Sequence, residues 1–338
     1  MILTMLFTAV SCDKKDEKSD STPDTVSTSA SSTTAETTVP ATSAAPDATE
    51  AQQQSDNLSP LLWRVTDKDG HTLYLFGTIH VGDERNETVL QKLSPTLDSC
   101  DALAVEFDVV AYETDVSQML SDVQQYELTD GSVVSDYMPE DLYQRSYELL
   151  DHAKLSPKFY TGFNLAWWSQ LVDTALLADY CDLDTENAMD TLLINRAKDN
   201  EKPVLEVESS TFQMTLLNSF DNDLYLLLIE DSLDHKDSYR SDLNEMYDLW
   251  LSGDKDTFWS YLEDEDDGNY TEDQIALYKD YDRKMVDDRN LGMRDKAIEY
   301  LNSGQTVFFA VGAAHMSNSA GIVQLLKNAG YTVEQIAY

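Results

Sequence analysis

Short runs of apolar and β-branched residues recur along this chain too far apart for hairpins, and that spacing restricts its fold more than any other feature. ALAVEF (residues 102–107), PVLEV (203–207), TVFFAV (306–311) and TVEQI (332–336) each have the length and composition of a strand. The segments between them can hold crossover helices, which parallel strands need and antiparallel ones do not. Nearer the start, residues 61–66 and 72–79 flank Asp67-Lys68-Asp69-Gly70, whose Asp-Gly ending is a hairpin turn. The expected fold is α/β, with a mixed, largely parallel sheet. Helical patterns cover residues 139–153, 162–180, 188–199, 210–231, 238–251 and 272–301. That is more helix than crossovers require, so residues 112–186 and 216–282 read as helical layers or a cap. The aromatic cluster Phe159, Tyr160, Phe163, Trp167 and Trp168 reads as packing between helices more than as a substrate groove.

The first residues, MILTMLFTAVSCDKK, make an apolar region too short to span a bilayer that stops just before Cys12. Ala9, Val10 and Ser11 before the cysteine resemble the site where secreted bacterial lipoproteins are cut and diacylated. Ala9 stands where leucine is usual, and no basic segment precedes the apolar run. Residues 13–57 contain no aromatic residue, leucine or isoleucine, so they cannot bury enough to repay ordering. They read as an acidic Ser/Thr/Ala-rich tether with a reach of about 35 to 40 Å. The expected organisation is a signal peptide over 1–12 ending at the lipidation residue Cys12, a tether over 13–57 and a folded domain over 58–338. Such a protein is held on the outer face of the cell membrane by its lipid alone. Cys100 and Cys181 then remain, and are expected as two separate, partly buried thiols.

With 338 residues, 42% of them hydrophobic, the chain can bury a sizeable core. Asp and Glu number 63 against 23 Lys and Arg, a formal net charge of -40. The resulting field repels nucleic acid, anionic lipid and polyanionic cell-wall polymers, and excludes nucleic acid as a partner. It attracts divalent cations and basic peptides, although an acidic surface more often serves solubility alone.

Two of the apolar runs end alike. LYLFGTIHVG, residues 73–82, and VFFAVGAAHMS, residues 307–317, each close on Gly-x-x-His. In open α/β sheets ligands sit beyond the carboxyl ends of strands, where side chains from distant parts of the chain converge. His80 and His315 fall at such ends, as do Glu106 in LAVEFD and Glu208 in LEVESS. Each could be merely a polar strand end bonded to a loop, but two such units among only five histidines favour a function. Two imidazoles and a carboxylate, His80, His315 and Glu106, are a common shell for a catalytic metal, leaving Glu208 free as a base. Without metal, a carboxylate and a histidine can share acid and base work on a bound water. The spacing itself does not identify an ion.

Taken with KPVLEVESSTFQ (202–213), WLSGD (250–254), DRNLGM (288–293) and the closing VFFAVGAAHMSNSAGIVQLLKNAGYTVEQI, these motifs resemble the TraB/GumN family, which includes pheromone-shutdown proteins and the animal Tiki proteases. The resemblance runs from about residue 61 to the C-terminus. It implies two related α/β halves, each giving one Gly-x-x-His unit to a shared site, and for Tiki-like members a metal-dependent peptidase, with Mn, Co or Zn as candidate ions. Carried onto this chain it places His80, Glu106, Glu208 and His315 around the site, with Arg289 holding a substrate carboxylate or an oxyanion and Asn290 orienting a neighbour. A surface ion pair with Asp287 or Asp288 is the other reading of Arg289. Met316 and Asn318 stand where leucine and glycine are usual, which bears on loop shape. The substrate implied is a peptide or protein, and the pheromone-shutdown relatives suggest sequestration of a peptide as the alternative.

Overall fold

The computed structural model describes residues 58–263 and 270–338, so the expected signal peptide, Cys12 and the tether lie outside the described residues. β1 (Leu62–Thr66) pairs antiparallel with β2 (Thr72–Thr78), and Gly70 closes the turn between them at φ 91°, a conformation that L side chains rarely adopt. β3 (Ala102–Val105), β4 (Val204–Glu206), β5 (Val307–Gly312) and β6 (Thr332–Ile336) complete a six-stranded sheet in the order β4-β3-β5-β2-β1-β6. β3 is parallel to β4 and β5, and β5 is parallel to β2, whereas β1 is antiparallel to β2 and β6. The sheet is mixed and mostly parallel, as the spacing of the apolar runs demands.

Helices fill the crossovers. α1 (Arg85–Ser99) joins β2 to β3. Between β3 and β4 lie α2 (Val109–Tyr112), α3 (Val116–Gln124), α4 (Glu140–His152), α5 (Leu165–Tyr180) and α6 (Met189–Asp199). Between β4 and β5 lie α7 (Ser210–Leu217), α8 (Asn222–Asp234), α9 (Tyr239–Ser252), α10 (Lys255–Glu263), α11 (Glu272–Asp282) and α12 (Asp288–Ser303), and α13 (Ile322–Asn328) leads to β6. Two expected helices are interrupted. Residues 210–231 break after Leu217, where Asn218 turns its amide to the Gln125 carbonyl at 2.8 Å and to Asn164 at 2.6 Å, the competition with helix that Asn side chains offer. Residues 272–301 pass through a π turn, Arg283–Asp287, which shifts the helical register just before Arg289.

The strands read as continuous apolar runs because the sheet is covered on both faces. Along β5, Phe308 and Ala310 enter one core with Leu62, Phe76, Leu103 and Val105, while Val307, Phe309 and Val311 enter the other with Trp63, Val65, Leu73 and Leu75. Met293, Ala297 and Leu301 of α12 and Ile322 and Leu326 of α13 cover the second core, and the helical layers pack against the first. Each Val, Leu, Ile, Phe or Met among them contributes about 1.5–3 kcal/mol by leaving water. Trp168 of α5 lies in the first core, its indole N–H donating to Ser146 Oγ at 2.9 Å and its ring stacked on Tyr143. Cys100 is buried and Cys181 half-buried, both as free thiols. Among the described residues no helix is long and apolar enough to cross a membrane.

Candidate active site

β2 and β5 lie side by side in parallel, with Gly77 opposite Val311 and Thr78 opposite Gly312. Both strands therefore stop at one level, and the residues just past their ends, His80 and His315, emerge on the same edge of the sheet. β3 flanks β5 on its other side with Val105 opposite Ala310, so Glu106 leaves at that edge too. Glu208 follows β4 by two residues, and its backbone N–H donates to the Glu106 carbonyl at 2.9 Å. A methyl group placed on Gly312 would lie 3.3 Å from Glu106 Oε1, 3.4 Å from His80 Nε2 and 3.6 Å from His315 Cδ2. The glycine leaves free the point on which those groups converge. Gly77 answers a different need: a Cβ there would come 2.9 Å from Ala313 Cα. Its carbonyl accepts the Trp250 indole N–H at 2.9 Å.

Each ring is turned by a partner on its Nδ1. His80 Nδ1 bonds Asp190 Oδ2 at 2.8 Å, and Asp190 is fixed in turn by the Thr78 hydroxyl, which donates to Oδ1 at 2.7 Å. Asn290 Nδ2 donates to the Ala320 carbonyl at 3.1 Å, which aims its Oδ1 at His315 Nδ1, 2.8 Å away. Both Nε2 atoms are left facing the site. Glu106 is held from two sides: Oε1 accepts from the Gly312 N–H at 2.8 Å, and Oε2 from Arg289 at 2.6 Å and Gln213 at 2.8 Å. Arg289 also grips Glu208 by Nε and Nη2 at 2.7 to 3.2 Å and donates to the Met285 carbonyl at 2.9 Å. Its side chain is 2% exposed. The guanidinium therefore faces Glu106 and Glu208 rather than Asp287, Asp288 or the open space where a substrate carboxylate would come. Glu208, bound by Arg289 and by Gln213 at 2.8 Å, has its carboxylate turned to structural partners.

These neighbours divide the two imidazoles electrically. Burial works against charge on His80, but the charge and hydrogen bond of Asp190, with Glu106 behind, outweigh it and push the ring up to about 9. His315 is pushed down to about 3 by burial and by the Arg289 charge, so its ring is neutral. Burial raises Glu106, yet Arg289, the two imidazoles and the Gly312 N–H prevail and hold it well below the usual carboxylate range.

The floor of a largely apolar cavity of about 360 Å³ carries His80, Glu106, Asp190 and Gln213. Its walls include Phe107, Tyr112, Met119, Leu171 and Met214. Phe159, Tyr160 and Trp167 line it as well; Tyr160, Phe163 and Trp167 also pack against the first core and Trp168 lies within it, so the cluster packs between helices as expected and also gives one wall of the cavity. Asp190, Thr78 and Gln213 were missed. Asp190 is a lone carboxylate in the apolar first turn of α6, 110 positions from the histidine it holds, and only its burial marks it. Gln213 lies within the KPVLEVESSTFQ motif but bears no titratable group that would draw notice. Asn318 adopts φ 56°, the left-handed region that glycine favours and asparagine tolerates, and its Oδ1 accepts the Ala320 N–H at 2.7 Å.

His315 and Glu106 offer donor atoms that suit a divalent ion, whereas His80 would first give up the proton that Asp190 stabilises. With His315 neutral and its Nδ1–H donated to Asn290, Nε2 carries a bare lone pair that faces Glu106 Oε1 across 3.8 Å. Two acceptors that face one another call for a cation or a proton donor between them. Three carboxylates, Glu106, Glu208 and Asp190, are balanced by Arg289 alone when both imidazoles are neutral, and the proton His80 draws supplies part of the missing charge. Neighbouring ligands of one ion stand about 3.0 to 3.4 Å apart at bond lengths of about 2.1 Å. Among the described residues no group of three or more His, Cys, Asp or Glu side chains is arranged to hold a metal ion.

A family model described as TraB/PrgY/gumN matches residues 61–335. Two curated proteins named uncharacterized protein YbaP, from Escherichia coli (strain K12) and Shigella flexneri, are each 26% identical over 258 residues, covering 75% of this chain and 87% of their own length. No solved structure matches significantly.

Proposed function

The chain belongs to the TraB/PrgY/gumN family, and from that premise we propose that it is a hydrolase of peptides, working with a divalent ion held by His80, Glu106 and His315. The observation that carries this reading is the convergence of His80 Nε2, Glu106 Oε1 and the His315 ring on Gly312, with His80 and Glu106 also lining an apolar cavity. Bound there, the ion would supply Lewis acidity, polarising a carbonyl and making water nucleophilic near neutral pH. The chain's own residues do the rest. Asp190 keeps the His80 Nδ1 protonated and its Nε2 aimed at the floor, and Asn290 does the same for His315. Arg289, Gln213 and the Gly312 N–H fix Glu106 as a carboxylate. The aromatic walls seat an apolar side chain and exclude water around the bond to be cut. We further place the domain on the outer face of the membrane, tethered through Cys12.

Purified full-length chain, loaded in turn with Mn²⁺, Co²⁺ and Zn²⁺, should cleave members of a peptide library as read by mass spectrometry. A chelator should stop it, and His80→Ala should lose both metal and turnover. Intact peptides under every loading would reject hydrolysis in favour of sequestration. Cleavage indifferent to chelator would reject the ion and leave the His80–Asp190 pair as acid and base.

A further inference from the structure

We propose that Lys154 anchors a free C-terminal carboxylate, so that the substrates of this cavity are peptides ending in a large apolar residue. The inference rests on the peptide reading of the site and specifies which peptides. Arg289, the cation that the family resemblance offers for a substrate carboxylate, is enclosed by Glu106, Glu208 and the Met285 carbonyl and does not line the cavity. Among the described residues that do, Lys154 is the one Lys or Arg. Its ammonium has no carboxylate partner among the described residues, in a chain of net charge -40. The acids on the same walls are Glu106, Glu113 and Asp190. A carboxylate entering the cavity is repelled by all three and attracted by Lys154 and by the His80 ring, whose charge is already paired with Asp190.

The backbone points to the same residue. Lys154 follows the C-cap of α4 at φ 61°, with its N–H donating to the Asp151 carbonyl and the Leu155 N–H reaching back to the Leu150 carbonyl. This is the helix ending in which glycine is the favoured residue, because a side chain strains the left-handed conformation. The chain accepts that strain at a long, flexible cation, and again two residues on at Ser156, φ 50°. Lys154, Leu155, Ser156, Phe159 and Tyr160 together form one wall of the cavity. Apolar surface for a side chain thus stands beside positive charge, Lys154 on the wall and the Lys158 Nζ 5.0 Å from the Phe159 ring centroid, the pattern that an apolar residue with a free carboxylate complements.

The test is calorimetric binding of N-acetyl-Ala-Ala-Phe and of its C-terminal amide to the full-length chain, followed by turnover of both. The free acid should bind about tenfold more tightly than the amide, against the repulsive field of the whole molecule. Lys154→Met should erase that difference without weakening the amide, and Lys154→Arg should retain it. An amide that binds as well as the acid, a preference that survives in Lys154→Met, or failure of both peptides to bind would each overturn the anchor. Because binding is read without turnover, the two proposals fail separately. Acid preferred but never cut sinks hydrolysis alone, whereas acid and amide cut at equal kcat/KM sinks the anchor alone.

Discussion

Replacing Arg289 with methionine keeps most of the side chain's length and removes its charge, and the structure sets the cost. The guanidinium is 2% exposed and faces Glu106 and Glu208, themselves 7% and 10% exposed. Removing one partner of a buried ion pair costs about 3–5 kcal/mol, because the charge left behind has no water to replace what it lost. Here two carboxylates are orphaned 2.6 and 2.7 Å from the vanished nitrogen, so the upper end applies, about 5 kcal/mol of the roughly 5–15 kcal/mol that a folded protein has. Urea unfolding followed by tryptophan fluorescence should show that loss. Adding Glu208→Gln to Arg289→Met removes one orphan and should restore part of it, giving a coupling of about 1–3 kcal/mol. The pH dependence should also change sign. In the wild type Glu106 is held below its ordinary value of 4.5, so its contribution is complete above that pH and is lost as pH falls toward the much lower folded value. In the variant burial acts on Glu106 without the guanidinium to oppose it, so protonation brings relief and the deficit should narrow on acidification. A loss under about 1 kcal/mol, or strictly additive double-mutant energies, would mean that Arg289 does not hold these carboxylates, and the electrostatic account of the floor would fall with it.

Gly312→Ala should preserve the fold, since Gly312 has φ -48°, open to any residue, yet put a methyl group 3.3 to 3.6 Å from Glu106 Oε1, His80 Nε2 and His315 Cδ2. Metal stoichiometry by elemental analysis should collapse while the urea midpoint stays near that of the wild type; full metal retention would contradict the convergence. Asp190→Asn keeps a hydrogen-bonding group against His80 Nδ1 but removes its charge, and metal affinity by competitive titration should fall about 10- to 100-fold. An unchanged affinity would reduce Asp190 to a structural partner of Thr78.

The fold was legible where periodicity is dictated by burial. Strands covered on both faces, such as Val307–Gly312, have to be apolar throughout, and the distance between them forces parallel pairing. Residues 210–231 and 272–301 carried the same helical pattern across a break and a π turn, because Asn218 and the 283–287 segment act through geometry that periodicity does not record. Within the site, the titratable groups at strand ends announced themselves through the repeated Gly-x-x-His. Their supports did not. Asp190 reaches His80 from a crossover helix 110 positions on, and Gln213, although five residues from Glu208, reaches Glu106 across 107 positions, so neither distance marks what is held. Arg289 was found, but that it turns to Glu106 and Glu208 depends on partners 183 and 81 positions away that its own helix does not reveal. Trp167 and Trp168 differ by one position and by about 100° around α5, enough to send one to the cavity and the other to the core.

The topology also explains why the two histidines lie at opposite ends of the folded chain. β5 is a central strand, inserted between β3 and β2, yet it is the second-last strand to be made. Until Val307–Gly312 docks, β2 and β3 have no partner between them, Glu106 lacks the Gly312 N–H, and His80 faces no second imidazole. The Arg289 side chain that neutralises Glu106 comes from α12, immediately before β5, and so reaches the floor with it. Completion of the sheet and assembly of the site are thus one event. A chain cut before residue 288 would lack the central strand and the neutralising charge together, leaving Glu106 and Glu208 without the cation that makes their burial tolerable.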